Sequence, residues 1–200
     1  KGTMTPLEFV DEYVEVDWEE YICIVNDPRN EYYRTYTVDF LQNVAGGPPV
    51  VYLNVPSDEM KDITQRLLED GVPVWMGCDV GKNMARKRGL WDAELYDLEG
   101  LYGIQFGMEK ADRLRFGQTM MTHAMLFTGV DVVDGRPRRW RVENSWGSED
   151  SGEKGFYVMN DNWYDEHMFE IAAPKEYLTD EMKSGLCLLY TSPSPRDLLK

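Results

Sequence analysis

The chain has 200 residues, enough for one domain or a large part of a bigger one. With 42% hydrophobic and 12% aromatic residues it can bury a core, which excludes disorder over most of its length. Its 36 acidic residues outnumber 21 basic ones, and the net charge of -15 argues against a nucleic-acid partner, since phosphate binding draws on surplus Lys and Arg. Cys23, Cys78 and Cys187 are odd in number and far apart, so reduced thiols are expected rather than a disulfide framework. No apolar run has the length of a membrane span. No signal-peptide pattern is present, but Lys1 falls within a loop-like stretch, so the native N-terminus is expected to lie upstream.

Thr5-Pro6-Leu7-Glu8 predicts a helix start, with a Thr cap, Pro at the first helical position and Glu completing a capping box; the helix is expected over 6–15. Residues 21–25 read as a short buried strand stopped by Asn26-Asp27-Pro28. After Gly46-Gly47-Pro48-Pro49 a strand is predicted over 50–55. Ser57 is expected to cap a helix with Met60, Ile63, Leu67 and Leu68 on one face and Gly71 at its end. An apolar strand over 72–78 follows, and 79–107, rich in glycine and charge, reads as long loops. A short helix over 109–116 leads to two strands, 124–133 and 138–144, joined by the hairpin signal Asp134-Gly135. Beyond them come a strand over 155–159, a helix over 162–168, a strand over 169–173 and a helix-like stretch over 175–184.

Within the hairpin, Arg139, Arg141 and Glu143 alternate with Trp140, Val142 and Asn144, which puts Asn144 on the buried face. Folding at Val133/Asp134 brings His123 opposite Asn144, to within a residue or two of register. A thiol enzyme needs an imidazole to activate its nucleophile and an acceptor to orient that imidazole, and a neighbouring indole would shield their contact from water. His123, Asn144 and Trp146 fit those three jobs. Taken singly, each has a plainer reading: a core histidine, an Asn closing a turn, and a core tryptophan. All three plain readings would have to hold together.

Met121-Thr122-His123-Ala124-Met125, Trp140-Arg141-Val142-Glu143-Asn144-Ser145-Trp146-Gly147 and Gly152-Glu153-Lys154-Gly155 together resemble the papain-type cysteine peptidases. More closely, the chain resembles the bleomycin hydrolase and aminopeptidase C group, to which Trp75-Met76-Gly77-Cys78-Asp79-Val80-Gly81-Lys82 and Val25-Asn26-Asp27-Pro28 are also similar. The resemblance covers residues 1–185 and implies an α+β, papain-like fold in which the strands from Val72 onward form an antiparallel, barrel-like subdomain carrying His and Asn. It implies His123 as catalytic base and proton shuttle, Asn144 as the residue that orients it, Trp146 as the residue that shields their contact, and Thr122 and Ala124 as substrate-binding residues lining the cleft. The family's nucleophilic cysteine and oxyanion-hole glutamine belong to an N-terminal segment not found in this sequence, so the fragment alone is expected to be inactive. Papain-like members often carry an aromatic residue before the first glycine of the Gly-x-x-Gly run, where this chain has Ser151.

Cys78 lies mid-strand in apolar surroundings, Cys23 is similar, and Cys187 sits at the junction with the tail; none reads as the nucleophile. Gly77-Cys78-Asp79-Val80-Gly81-Lys82-Asn83 falls one residue short of a phosphate loop and lacks its Ser or Thr. Asp165, Glu166, His167 and Glu170 suggest a solvated acidic helix rather than a metal site. Arg136, Arg138, Arg139 and Arg141 form a basic run at a hairpin tip, with a solvated or subunit-contact role. The resulting expectation is a cytoplasmic, homohexameric aminopeptidase acting on peptides, with no cofactor or metal, no nucleic acid and no membrane. The alternative is a non-catalytic binding or assembly module. Residues 186–200 differ in character and read as a non-family tail. A stop codon near Gly185 in the source transcript supports that reading, and an unbroken genomic frame through the tail refutes it.

Overall fold

A computed structural model describes residues 2–39, 41, 44–149, 152–186 and 189–192, the last four as backbone. Helix α1 spans Pro6–Tyr13, and its predicted capping box is formed: the Thr5 hydroxyl accepts from the Glu8 N–H, and the Glu8 carboxylate accepts from the Thr5 N–H at 2.7 Å. Strands β1 (Tyr21–Val25), β2 (Arg34–Val38) and β3 (Tyr52–Asn54) precede helix α2 (Ser57–Glu69) and strand β4 (Val74–Cys78). Next come the two-residue strands β5 (Met84–Ala85) and β6 (Leu90–Trp91), then helices α3 (Leu98–Tyr102) and α4 (Lys110–Arg115). The chain continues with β7 (His123–Val133), β8 (Arg136–Glu143), β9 (Phe156–Asn160), helix α5 (Asp161–His167), β10 (Met168–Pro174), helix α6 (Asp180–Gly185) and β11 (Leu189–Ser192).

All the strands join one sheet in the order β11-β2-β3-β1-β10-β4-β7-β8-β9-β6-β5. The sheet therefore extends to strands earlier in sequence than Val72. Three pairings are parallel, β1 with β3, β2 with β11 and β6 with β9, and the others are antiparallel. Leu189–Ser192 pairs along β2, so the beginning of the tail lies against the sheet edge; residues 193–200 and Cys187 fall outside the described residues. The stretch 79–107, expected to be loops, contributes β5, β6 and α3. Trp91 anchors it, fully buried and donating its indole N–H to the Val80 carbonyl at 3.0 Å.

The core lies under α2 and α5. Trp91, Trp140, Trp163, Tyr157, Tyr164 and Phe127 are all essentially inaccessible and pack ring to ring, with centroids such as Trp91–Tyr157 at 4.6 Å and Trp140–Tyr164 at 5.0 Å. Their polar ends are satisfied: Trp140 donates to Asp161 at 3.0 Å and Trp163 to the Lys82 carbonyl at 2.8 Å. Lys61 on α2 reaches both Asp161 and Asp165 on α5 at 2.7 Å, tying the two helices together. The Ser57 hydroxyl is also drawn to Asp165, at 2.7 Å, so Ser57 is the first helical residue and not the cap.

Two basic groups are withdrawn from water, one at the end of α5 and one at the start of α4. Burial and the Arg113, Lys110 and Lys82 charges pull the His167 imidazole down to about 3, and burial pulls the Lys110 ammonium, held by Asn26 and the Met168 carbonyl, down to about 7. At pH values between about 3 and the ordinary 6.5, unfolded His167 takes a proton that the folded state refuses. Its contribution to stability is therefore complete above the unfolded value and is lost as pH falls toward the folded one. We expect urea-unfolding free energy to decline across that window by up to about 1.4 kcal/mol per pH unit from this group. His167→Phe should flatten the decline; an unchanged slope would show that His167 is not its source.

Candidate active site

The hairpin that builds the site turns at Asp134-Gly135, both with positive φ (51° and 76°), which joins β7 to β8 with two residues in the primed-turn geometry suited to twisted strands. Val133 pairs with Arg136, and the register slips one residue between Asp131 and Val132 and again between Phe127 and Gly129. Arg138 is the extra residue on β8 and Thr128 on β7, so the slips offset one another. Leu126 consequently faces Glu143, which puts Met125 level with Asn144. His123 and Asn144 are diagonal neighbours, two positions from direct opposition, on the face that also carries Trp140 and Val142.

The contact itself is made. His123 Nε2 lies 2.9 Å from Asn144 Oδ1. That oxygen also accepts the Ser145 backbone N–H at 2.7 Å. The second bond fixes the amide's orientation, because a flipped carboxamide would present N–H₂ to an N–H. With oxygen toward the ring, Nε2 must carry the proton, and Nδ1, which has no partner among the described residues, is left as the basic nitrogen. Asn144 is buried, its Nδ2 has no acceptor among the described residues, and its backbone N–H donates to the Gly155 carbonyl at 3.0 Å. Gly155 adopts φ 89° and runs so close to Gly147 that a Cβ would stand 3.0 Å from the Gly147 carbonyl oxygen, so only glycine closes this turn without strain.

Trp146 lies against the imidazole with ring centroids 5.0 Å apart and planes tilted by 30°. The edge of Tyr157 supports it, and the Arg86 guanidinium sits 4.8 Å from the indole centroid. Arg86 belongs to a short turn, Arg86–Arg88, held by β5 and β6; Gly89 next to it approaches Gly152 so closely that a Cβ would fall 2.7 Å from the Gly152 α-carbon. An imidazole with one nitrogen clamped and the other open can take a proton from a neighbouring acid and return it to a leaving group.

The structure brings His123, Asn144 and Trp146 together. Thr122 and Ala124 flank the histidine in sequence with exposed side chains, and the Thr122 hydroxyl is engaged in holding strands, donating to the Cys78 carbonyl and accepting from the Val80 N–H at 3.2 Å. Met121 lies over Gly77, where a Cβ would meet its sulfur at 2.3 Å. Met120, Met121 and Trp75 expose apolar surface beside this end of β7, and the side chains of α1 are exposed throughout. Cys78 is the cross-strand partner of His123, but burial and the adjacent Asp79 push its thiol far up. Burial and Glu170 push Cys23 up to about 12. Gly77 and Cys78 belong to β4, so the faint phosphate-loop pattern is no loop there. Asp165 pairs with Lys61 and Glu166 with Arg113, while Glu170 lies buried on β10 beside Cys23. Ser151, on which the Gly-x-x-Gly comparison turned, lies outside the described residues. Ser145 and Arg86 escaped sequence reasoning; the basic triplet Arg86-Lys87-Arg88 was the available signal for the second.

The chain matches the Peptidase C1-like family over residues 1–192. Bleomycin hydrolase of Homo sapiens is 45% identical over 193 residues, covering 92% of this chain and 42% of that protein. Aminopeptidase G of Lactobacillus delbrueckii subsp. lactis is 41% identical, covering 98% of this chain and 45% of the relative, and aminopeptidase C of Lactobacillus helveticus is 42% identical, covering 91% and 41%. The crystal structure of pepw from Lactobacillus rhamnosis HN001 superimposes with a TM-score of 0.88 at 39% identity, covering 94% of this chain and 44% of that one. The chain thus spans less than half the length of these relatives, and its α+β architecture is the papain-like peptidase fold.

The Asn144 geometry predicts one tautomer. In alkaline buffer, nitrogen-15 NMR of the neutral His123 ring should find the proton on Nε2 and none on Nδ1. A proton on Nδ1 would reverse the site's polarity.

Proposed function

Since this chain belongs to the Peptidase C1-like family, we propose that it carries the His–Asn half of a cysteine-type aminopeptidase of the bleomycin hydrolase kind. In this reading His123 Nδ1 receives the proton of a cysteine thiol as sulfur attacks the acyl carbon, then delivers it to the departing amine. Water attacks the resulting thioester with the same nitrogen as base, and the thiol is regenerated. Asn144 holds the ring in its reactive tautomer, Trp146 keeps water from their hydrogen bond, and Thr122 and Ala124 line the cleft on either side. The observation that carries the proposal is the bond from His123 to an amide oxygen already fixed by Ser145.

In this reading neither half-buried Cys23 nor buried Cys78 is the nucleophile, since burial pushes both thiols up. We place it in a segment of the longer polypeptide that these 200 residues do not include, which makes the fragment inactive by itself. A cytoplasmic homo-oligomer, a hexamer by resemblance, acting on peptide N-termini is consistent with free Cys23 and Cys78 and with the absence, among the described residues, of a helix able to cross a membrane.

Aminoacyl-coumarin hydrolysis tests the roles. In the complete polypeptide, His123→Ala should lower kcat by roughly 10³-fold or more and Asn144→Ala by about 10²-fold to 10⁴-fold. Full activity in His123→Ala would remove His123 from the chemistry, and no hydrolysis by the complete wild-type polypeptide would leave a binding or assembly module as the better reading. The 200-residue chain should show no turnover, and alkylation-sensitive turnover by it would put the nucleophile among its own cysteines.

A further inference from the structure

The general acid of an acyl transfer must stand beside the leaving nitrogen, so the leaving portion of the substrate runs past the imidazole and not away from it. On the reading that His123 is that acid, the wall beside the departing amine is what touches the ring: first Trp146, then Arg86 over the indole. The Arg86 side chain is exposed, and among the described residues no carboxylate lies within ion-pairing range of it. Lys87 and Arg88 continue the cationic edge, also exposed. Glu149 and Glu153, both exposed in the described parts of the loop between Gly147 and Gly155, make no ion pair with Arg86.

A guanidinium laid on an indole keeps its in-plane N–H donors free while its position is fixed by the cation–π contact, the geometry that suits bidentate capture of a carboxylate. Two close glycines, Gly89 and Gly152, hold the turn that presents it. We infer that Arg86 selects substrates whose leaving portion carries a carboxylate close to the scissile bond. Either the free C-terminal carboxylate of a short peptide or an acidic side chain on the first departing residue supplies that chemistry. The inference rests on the peptidase reading and names a substrate class within it.

The test uses the complete polypeptide and three substrates sharing one N-terminal aminoacyl group: aminoacyl-alanine, aminoacyl-alanine amide and aminoacyl-aspartate amide. At low salt the wild type should show kcat/KM about fivefold to tenfold higher for at least one carboxylate-bearing substrate than for the alanine amide, with the ratio shrinking as salt is added. Preference for the free acid alone or for aspartate alone identifies the carboxylate that Arg86 meets; either outcome supports the inference. Arg86→Gln should bring the ratio to about one, Arg86→Lys should retain only part of it because an ammonium offers charge without the bidentate fork, and Arg86→Glu should push it below one. Equal kcat/KM for all three substrates in the wild type, or a preference that survives Arg86→Gln, overturns the inference. His123→Ala separates the two failures: if it is inactive on every substrate while the wild type shows no preference, the peptidase reading stands and only the role of Arg86 falls.

Discussion

A single carbonyl oxygen, Asn144 Oδ1, accepts two donors, and the orientation of the site follows from that. A carboxamide alone could rotate to offer either end to the imidazole. The Ser145 N–H at 2.7 Å makes one orientation much the better, and the imidazole at 2.9 Å then has to bring a proton. A buried hydrogen bond contributes only about 0.5–1.5 kcal/mol net, but leaving either partner unpaired in the interior costs about 1–3 kcal/mol. That asymmetry, more than the strength of the bond, is what selects the tautomer.

The surrounding fold maintains this local arrangement. Asn144 is the first residue past β8, and its N–H is bound to Gly155, whose positive φ and close approach to the Gly147 carbonyl favour glycine there. Trp146 is wedged between imidazole, Tyr157 and guanidinium. Behind it, Tyr157 packs on Trp91, so the indole that covers the site continues into the aromatic core. Loss of core packing would therefore reach the imidazole through three rings. On the strand paired with β7, burial and Asp79 push the Cys78 thiol up, while Arg86 lies exposed on the outer side of Trp146.

How legible this was depended on how local each determinant is. The Asp134-Gly135 turn and the alternation through Trp140, Val142 and Asn144 are short-range signals, and they led from the residues to the His–Asn contact with only its diagonal offset missing. Thr5 and Glu8 announced their capping box because both partners lie within four positions. Ser57 misled because its hydroxyl is taken by Asp165, 108 positions away, a partner no local rule can see. Strands β5 and β6 have two residues each, too few to show a period, and are held by the burial of Trp91 and by pairing with β9. Bulges at Thr128 and Arg138 leave no mark in composition. The basic triplet marked Arg86 only as charged, and its place at the site came from the fold that laid it over Trp146.

The two bulges constrain how this hairpin can evolve. Each adds one residue to one strand, and the extras lie on opposite strands, so the ladder regains its starting register before it reaches the site. Gaining or losing a residue in one strand alone would turn either the histidine or the asparagine to the wrong side of the sheet. Homologues should accordingly vary freely in length at the turn, whereas between the turn and the site indels would survive as matched pairs, one per strand.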